Sequence, residues 1–311
     1  MSFQKHRLTT KKQGKYFYTI GPYAKPVLSI KSGDMVVIET QDAFGGKLKN
    51  ENTKPSDVEK LPFVNPVNGP IFIEGAKRGD TLKIIIKSIL PRGEQPSGTT
   101  CLVLNFGGLV GTDESPILSP PLTELVKKVP VTIEGVKWNK NIAFPYKPFI
   151  GTIGTSPLID SINTLTPGKH GGNMDLSDIC PGNVLYLPVQ VEGAFLYLGD
   201  CHAVQGDGEL CGVAIEFPTY TTIKVEILEK RTLEWPRLEG DDFIMSIGSA
   251  RPMDNATRIA YYDLIQWMVS DYGFDKLDAY FILGQVGQVH LGNMVNPNYT
   301  VGAFIKKKYL S

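Results

Sequence analysis

Gly199-Asp200-Cys201-His202-Ala203-Val204-Gln205-Gly206-Asp207-Gly208-Glu209, fed directly by the apolar run Ala194-Phe195-Leu196-Tyr197-Leu198, decides how this chain is read. Apolar residues leading straight into two aspartates, a histidine, a glutamine and a glutamate describe a buried strand that ends at a site, because ionisable groups leave water only when paired, metal-bound or catalytic. Along a strand, period-two alternation puts Asp200 and His202 on one face and Cys201 on the other. A carboxylate oxygen and an imidazole nitrogen on one face can chelate a hard or borderline divalent cation. The glycines at 206 and 208 permit a sharp turn that brings Glu209 back beside them.

Outward from this stretch, the first two-thirds of the chain reads as β-structure. Residues 34–40 form a strand running into the polar turn 41–46. Residues 80–88 alternate Leu82, Ile84 and Ile86 against Thr81, Lys83, Ile85 and Lys87, and 222–229 set Ile223, Val225 and Ile227 against Lys224 and Glu226. Residues 185–198 are nearly continuously apolar and read as central strands covered on both faces, turning at Glu192-Gly193. A strand pair joined there returns the chain to the edge it left, which brings Lys169-His170-Gly171-Gly172-Asn173-Met174-Asp175 close to Asp200 and His202. Helices come late. Asp254 caps one through about Val269, with Ala256, Ile259, Ala260, Leu264, Trp267 and Met268 repeating near 3.6. Asp275 caps a shorter one, and a third helical turn is expected over 120–128. The Pro/Gly-rich segments 91–98 and 139–156 read as loops. The expected fold is mainly β with an α+β portion, as β-sandwich or jelly-roll-like sheets with a few C-terminal helices. Two domains are expected, 1–150 (β-rich) and 151–311 (α+β), with the chain free to interdigitate between them.

Lys plus Arg equals Asp plus Glu, 32 each, so the net charge is zero and neither nucleic acid nor an anionic membrane is the expected partner. No segment approaches the roughly 18 consecutive apolar residues of a membrane helix. The polar, basic start 1–15 lacks the apolar stretch of a signal peptide, and the four cysteines show no CxxC spacing, so reduced thiols in a cytoplasmic protein are expected.

Competing motifs fall away. Gly151-Thr152-Ile153-Gly154-Thr155-Ser156 lacks the lysine of a phosphate-binding loop, residues 200–209 lack the order of an EF-hand, and no G-x-S-x-G elbow is present. Cys201 points away from its neighbour His202, which argues against a Cys–His nucleophile. Each candidate also has a plain reading. A loop histidine such as His170 is most often a surface group, and Asp42 and Asp175 can simply cap turns through side-chain to backbone bonds. Glu209 can serve only its own turn.

Several segments together resemble the acetamidase/formamidase family of amide hydrolases. They are Glu39-Thr40-Gln41-Asp42-Ala43, residues 65–76, residues 150–157, His170-Gly171-Gly172-Asn173-Met174-Asp175 and residues 199–216. They run in family order from about residue 30 to residue 305. The resemblance implies a β-rich protein with an α+β portion that cleaves small linear amides, of the acetamide and formamide type, or related lactams, to the acid and ammonia. It also implies a divalent metal, zinc first and calcium as the alternative, and a homo-oligomer. The family's acidic and histidine positions fall on Asp42, His170, Asn173, Asp175, Asp200, His202 and Glu209, and Cys201 occupies a variable position.

The expected chemistry is metal-assisted amide hydrolysis. Asp200 and His202 are expected to hold the cation, with Asp42 as the third ligand and Asp175 or His170 as its alternatives. Water on the cation drops from a pKa near 16 toward roughly 7. Glu209 moves the proton from water to the departing nitrogen, with Asp175 as the second catalytic carboxylate. His170, Asn173 and Gln205 are placed on the substrate, His170 or Asn173 as donor to the oxyanion. Residues 113–122, with Phe44, Phe106 and Tyr146, are expected to set the size of the cleft. A non-catalytic β protein whose Asp200/His202 cluster binds calcium or a polar ligand is the competing reading.

Overall fold

A computed structural model of the chain describes residues 3–58, 60, 62–110 and 123–310. The Leu196–His202 strand lies in the middle of a five-stranded sheet, in the order Gly171–Asn173, Phe149–Thr155, Leu196–His202, Val67–Glu74, Leu28–Lys31. All residues of Phe149–Thr155 and Leu196–His202 are buried, which explains why the apolar run shows no alternation: both faces are covered.

A nine-stranded sheet packs against it, ordered Lys5–Leu8, Met35–Glu39, Thr219–Leu228, Thr81–Pro91, Val184–Pro188, Arg237–Glu239, Phe243–Ala250, Tyr299–Lys306, Gln288–Asn293. Ile71, Ile153, Leu196 and Leu198 of the smaller sheet share one buried core with Leu82, Ile84, Leu185, Ile223 and Val225 of the larger. This is the expected β-sandwich. The alternation read in residues 80–88 holds through Ile86. It then steps by three to buried Ile89, where the pairing with Thr219–Leu228 shifts register between Thr222 and Ile223.

The helix Met253–Tyr272 covers Phe243–Ala250 and Tyr299–Lys306 through Ala260, Leu264, Trp267 and Met268. Its N-cap is Pro252; Asp254 sits in the first turn and pairs with Arg258 instead. Asp275 caps Lys276–Val286 as expected, accepting from the amides of Leu277 and Asp278. No helix among the described residues is long and apolar enough to cross a membrane.

Three further expectations change. The helical turn over 120–128 does not form where it is described, since 125–128 belong to the Leu125–Thr132 strand, which buries Val126, Val129 and Val131. Residues 139–156 are not one loop, because Phe149–Thr155 is a central strand. Position 150/151 lies inside that strand, and both halves of the chain supply strands to both large sheets. Finally, Val184–Pro188 and Leu196–His202 do not pair but enter different sheets. The segment at 170–175 reaches Asp200 through Phe149–Thr155, which pairs with Gly171–Asn173 on one edge and Leu196–His202 on the other.

Candidate active site

The ladder pairs Ile150 with Cys201 and Thr152 with Gly199, leaving Gly151 facing Asp200. Asp200 adopts φ 53, a left-handed conformation. That turn shifts the strand's phase by one residue: Leu196, Leu198 and Cys201 all enter the sandwich core. The thiol of Cys201 meets the Thr221 hydroxyl at 3.4 Å. Asp200 and His202 therefore share a side, as alternation predicts, but it is the side away from the core. Gly151 makes room for them, since a methyl there would lie 2.7 Å from the Asp200 carbonyl oxygen, 2.8 Å from Asp175 Oδ1 and 2.9 Å from Asp200 Oδ2.

Four carboxylates and one imidazole gather at this point. Asp175, Asp200 and His202 bring ligand-type atoms within 4.8 Å of one another, and so do His202, Glu209 and Glu216. All five residues are buried. In four of them one polar atom is tied and another is left open. Asp200 Oδ2 accepts from Asn65 Nδ2 at 2.8 Å and lies 3.0 Å from the Thr152 hydroxyl. Asp175 Oδ2 accepts from Asn296 Nδ2 at 2.6 Å, and Glu216 Oε1 accepts from the Ala214 amide at 3.1 Å. His202 Nδ1 meets Gln205 Oε1 at 2.9 Å. The open atoms are Asp175 Oδ1, Asp200 Oδ1, Glu216 Oε2 and His202 Nε2, which have no hydrogen-bond partner among the described residues. His202 Nε2 lies 3.4 Å from Asp200 Oδ1 and 3.1 Å from Glu216 Oε1, at ion-pair distance but outside hydrogen-bond geometry.

Gln205 fixes which nitrogen of His202 is open. Its amide nitrogen donates to the carbonyl oxygens of Asp175 and Gly292, both at 2.9 Å, so its oxygen must face the ring and Nδ1 must carry the proton. In the neutral ring, Nε2 then presents its lone pair to the carboxylates. Gln205, expected on the substrate, orients the histidine instead.

The electrostatics follow from burial. Burial pushes the carboxyl of Glu209 up to about 8, with Glu216 and Asp200 adding to the rise. Glu216 is likewise pushed up to about 8 by burial and by Asp200, and Asp175 is held well above the carboxylate range by burial, Glu209 and Asp200. Burial alone would lower His202, but Glu216 and Asp200 outweigh it and hold its pKa well above the ordinary value. The cluster retains protons at neutral pH when nothing else balances its charge.

Other expected residues separate. Asn173 lines the cleft, with Oδ1 in contact with Asn65 Nδ2 and the Thr152 hydroxyl. His170 is not a surface group: it is buried and outside the cleft lining, and burial pushes its pKa down to about 4. Asp42, expected as the third ligand, lies outside both metal-type groups. Its carboxylate caps a turn, accepting from the amides of Phe44 at 3.0 Å and Gly46 at 2.8 Å. Phe44 and Phe106 line the cleft, whereas Tyr146 donates to the Ile89 carbonyl away from it. Residues 113–122 lie outside the described residues. Glu216 is the acid that the sequence reading passed over, although a single glutamate inside Ala214-Ile215-Glu216-Phe217 is a signal for a buried, partnered charge. Asn65, Thr152 and Asn296, which hold the acids, carried no such signal.

The architecture and the sequence are both shared with known proteins. The crystal structure of an acetamidase from Yersinia enterocolitica superposes over 100% of this chain and 94% of its own, with a TM-score of 0.97 and 52% identity. That of an acetamidase from Bacillus halodurans superposes over 97% of this chain and 98% of its own, with a TM-score of 0.89 and 33% identity. The formamidase of Methylophilus methylotrophus is 27% identical over 254 residues, 65% of this chain and 61% of that protein. The chain spans about three-fifths of the length of the curated relatives it matches. A sequence model of the acetamidase/formamidase family matches residues 4–163 and 158–308, and the chain belongs to that family.

Proposed function

We propose that this protein hydrolyses linear amides to the carboxylic acid and ammonia, with a divalent cation held among Asp175, Asp200 and His202. The carrying observation is the convergence of open atoms from Asp175, Asp200, Glu216 and His202, each side chain being fixed by a separate neighbour. Four buried acids against one imidazole leave a charge that a low-dielectric interior does not tolerate without protons or a cation. An imidazole among carboxylates favours zinc over calcium, which takes oxygen ligands. When bound, the cation supplies Lewis-acid polarisation of the amide carbonyl and a more acidic water.

The protein's own groups do the rest. Glu209 lines the cleft with a carboxyl poised to exchange a proton near neutrality. It takes the proton of the attacking water as the C–O bond forms and returns it to nitrogen as the C–N bond breaks, so that nitrogen leaves as neutral ammonia. Contacts to Asn173 Oδ1 from Asn65 and Thr152 leave its Nδ2 as a donor for the developing oxyanion. The test is ammonia release from formamide and acetamide by the purified chain, stripped with a chelator and then reloaded with zinc. Stoichiometric metal with restored release is expected. Zinc bound stoichiometrically with no release from any short amide would leave a binding protein and overturn the proposal.

A further inference from the structure

The cleft is larger than its acidic floor requires. It has a volume of about 520 Å³. A one- or two-carbon amide seated against Asp200, Glu209 and Glu216 would occupy a small corner of it.

Beyond that floor, Phe44, Val103, Leu104, Phe106, Val213 and Val295 give one side of the cleft an apolar wall, with Asn105, Arg251 and Asn296 also in the lining. Phe44 and Val213 belong to a small buried core with Leu48, Cys101 and Val126, and Val103 packs against the same core, so this wall is a built surface. Leu104, 48% exposed, adds apolar surface to the lining. One cation, Arg251, lines the cleft among the described residues. Its Nε and Nη2 both donate to the Asn296 carbonyl, at 3.2 and 2.6 Å, and its guanidinium lies 4.4 Å over the Tyr299 ring. A hydrocarbon finds along Phe44, Val103 and Phe106 a wall whose wetting is unfavourable.

Resting on the amidase reading above, we infer that the substrate is a primary amide with an apolar acyl group of aryl-methyl or branched-alkyl size. Its carboxamide sits on the acidic floor and its hydrocarbon lies along Phe44, Val103 and Phe106. Covering apolar surface gains about fourfold in binding per methylene. That gain raises kcat/KM because it is present in the transition state and absent in free substrate.

The zinc-loaded full chain is assayed for kcat/KM with formamide, acetamide, butyramide, phenylacetamide and the anionic amide succinamate. The expected order rises from formamide to phenylacetamide, the last at least tenfold above acetamide. A fall beyond acetamide, or succinamate above butyramide, overturns the inference. Val103→Trp narrows the wall, and the loss should be at least tenfold greater for phenylacetamide than for acetamide; equal losses contradict the wall assignment. Calorimetric binding of phenylacetate against acetate reads the wall without turnover. Tighter phenylacetate supports it and equal affinity overturns it, so the result stays separate from a failure of the amidase reading, which would show as no ammonia from any amide.

Discussion

Asn65, Asp175, Asp200 and Glu209 adopt φ values of 55, 48, 53 and 50, and the described residues contain only four other non-glycine positions at positive φ. Such positions cost on the order of 1–3 kcal/mol each and persist only where the surroundings over-determine them. Here the neighbours that hold three of these side chains are known by name. Asn296 grips Asp175, and Asn65 grips Asp200 while lying 3.3 Å from Asn173 Oδ1. The acids are thus pre-aimed, and single substitutions should separate the roles of the residues around them. Glu209→Gln keeps the shape and removes the proton carrier, so ammonia release should fall by roughly 10²–10⁴ while elemental analysis finds the metal unchanged; near-normal release would show that another group is the base. Gln205→Leu removes the oxygen that orients His202, and metal affinity should weaken by about 10–100-fold, measured by competition with a fluorescent chelator. Unchanged affinity would mean that the ring holds its tautomer without Gln205.

Phe149–Thr155 is the element on which the site is assembled. Its Thr152 touches Asp200 and Asn173, its Phe149 ring stacks edge-on to His202 at 4.9 Å, and its Gly151 yields space to two carboxylates. Gly151→Ala should destabilise the fold by about 1–3 kcal/mol through overpacking, seen as a lower denaturant midpoint, and should also reduce bound metal. A variant with wild-type midpoint and metal content would show that the strand can slide aside. The same element marks where the sequence stops being legible. Its glycines read as loop residues, yet here they permit close approach by side chains from elsewhere. The strands at 80–88 and 222–229 were legible because each has one partly wetted face. Asp200, His202 and Glu209 could be picked out because polar groups crowd the end of an apolar run. The phase shift at Asp200 could not, since a left-handed aspartate leaves no trace in a hydrophobic pattern. Asp42 shows the ambiguity of an acid beside glycine, which looks the same in sequence whether it caps a turn, as its bonds to Phe44 and Gly46 do, or binds an ion.

For the whole molecule, the buried charges govern the response to pH. Without a cation, Glu209 and Glu216 hold protons up to about 8, whereas unfolded glutamates release them near 4.3. The folded state then binds more protons than the unfolded one, so stability falls as pH rises between those values. The raised pKa values of Asp175 and His202 act in the same direction. His170, pushed down to about 4, opposes them: the unfolded ring gains a proton first, which costs stability as pH falls from about 6.5 to 4. Four groups outweigh one, so the chelated protein should melt at lower temperature at pH 8 than at pH 6. Zinc displaces the protons, and the melting-temperature gap between loaded and chelated protein should widen across that interval. A gap that stays constant with pH would mean the cation does not bind this cluster.

Asn296 follows Asp175 by 121 residues, and its amide reaches back across all of them to hold that acid. A nascent chain that has not yet reached Asn296 already carries all four acids and the imidazole, but not the clasp that aims one of them. Competence to trap an ion therefore waits on residue 296, and a truncation upstream of it should leave a protein that is acidic at its centre and unable to organise it.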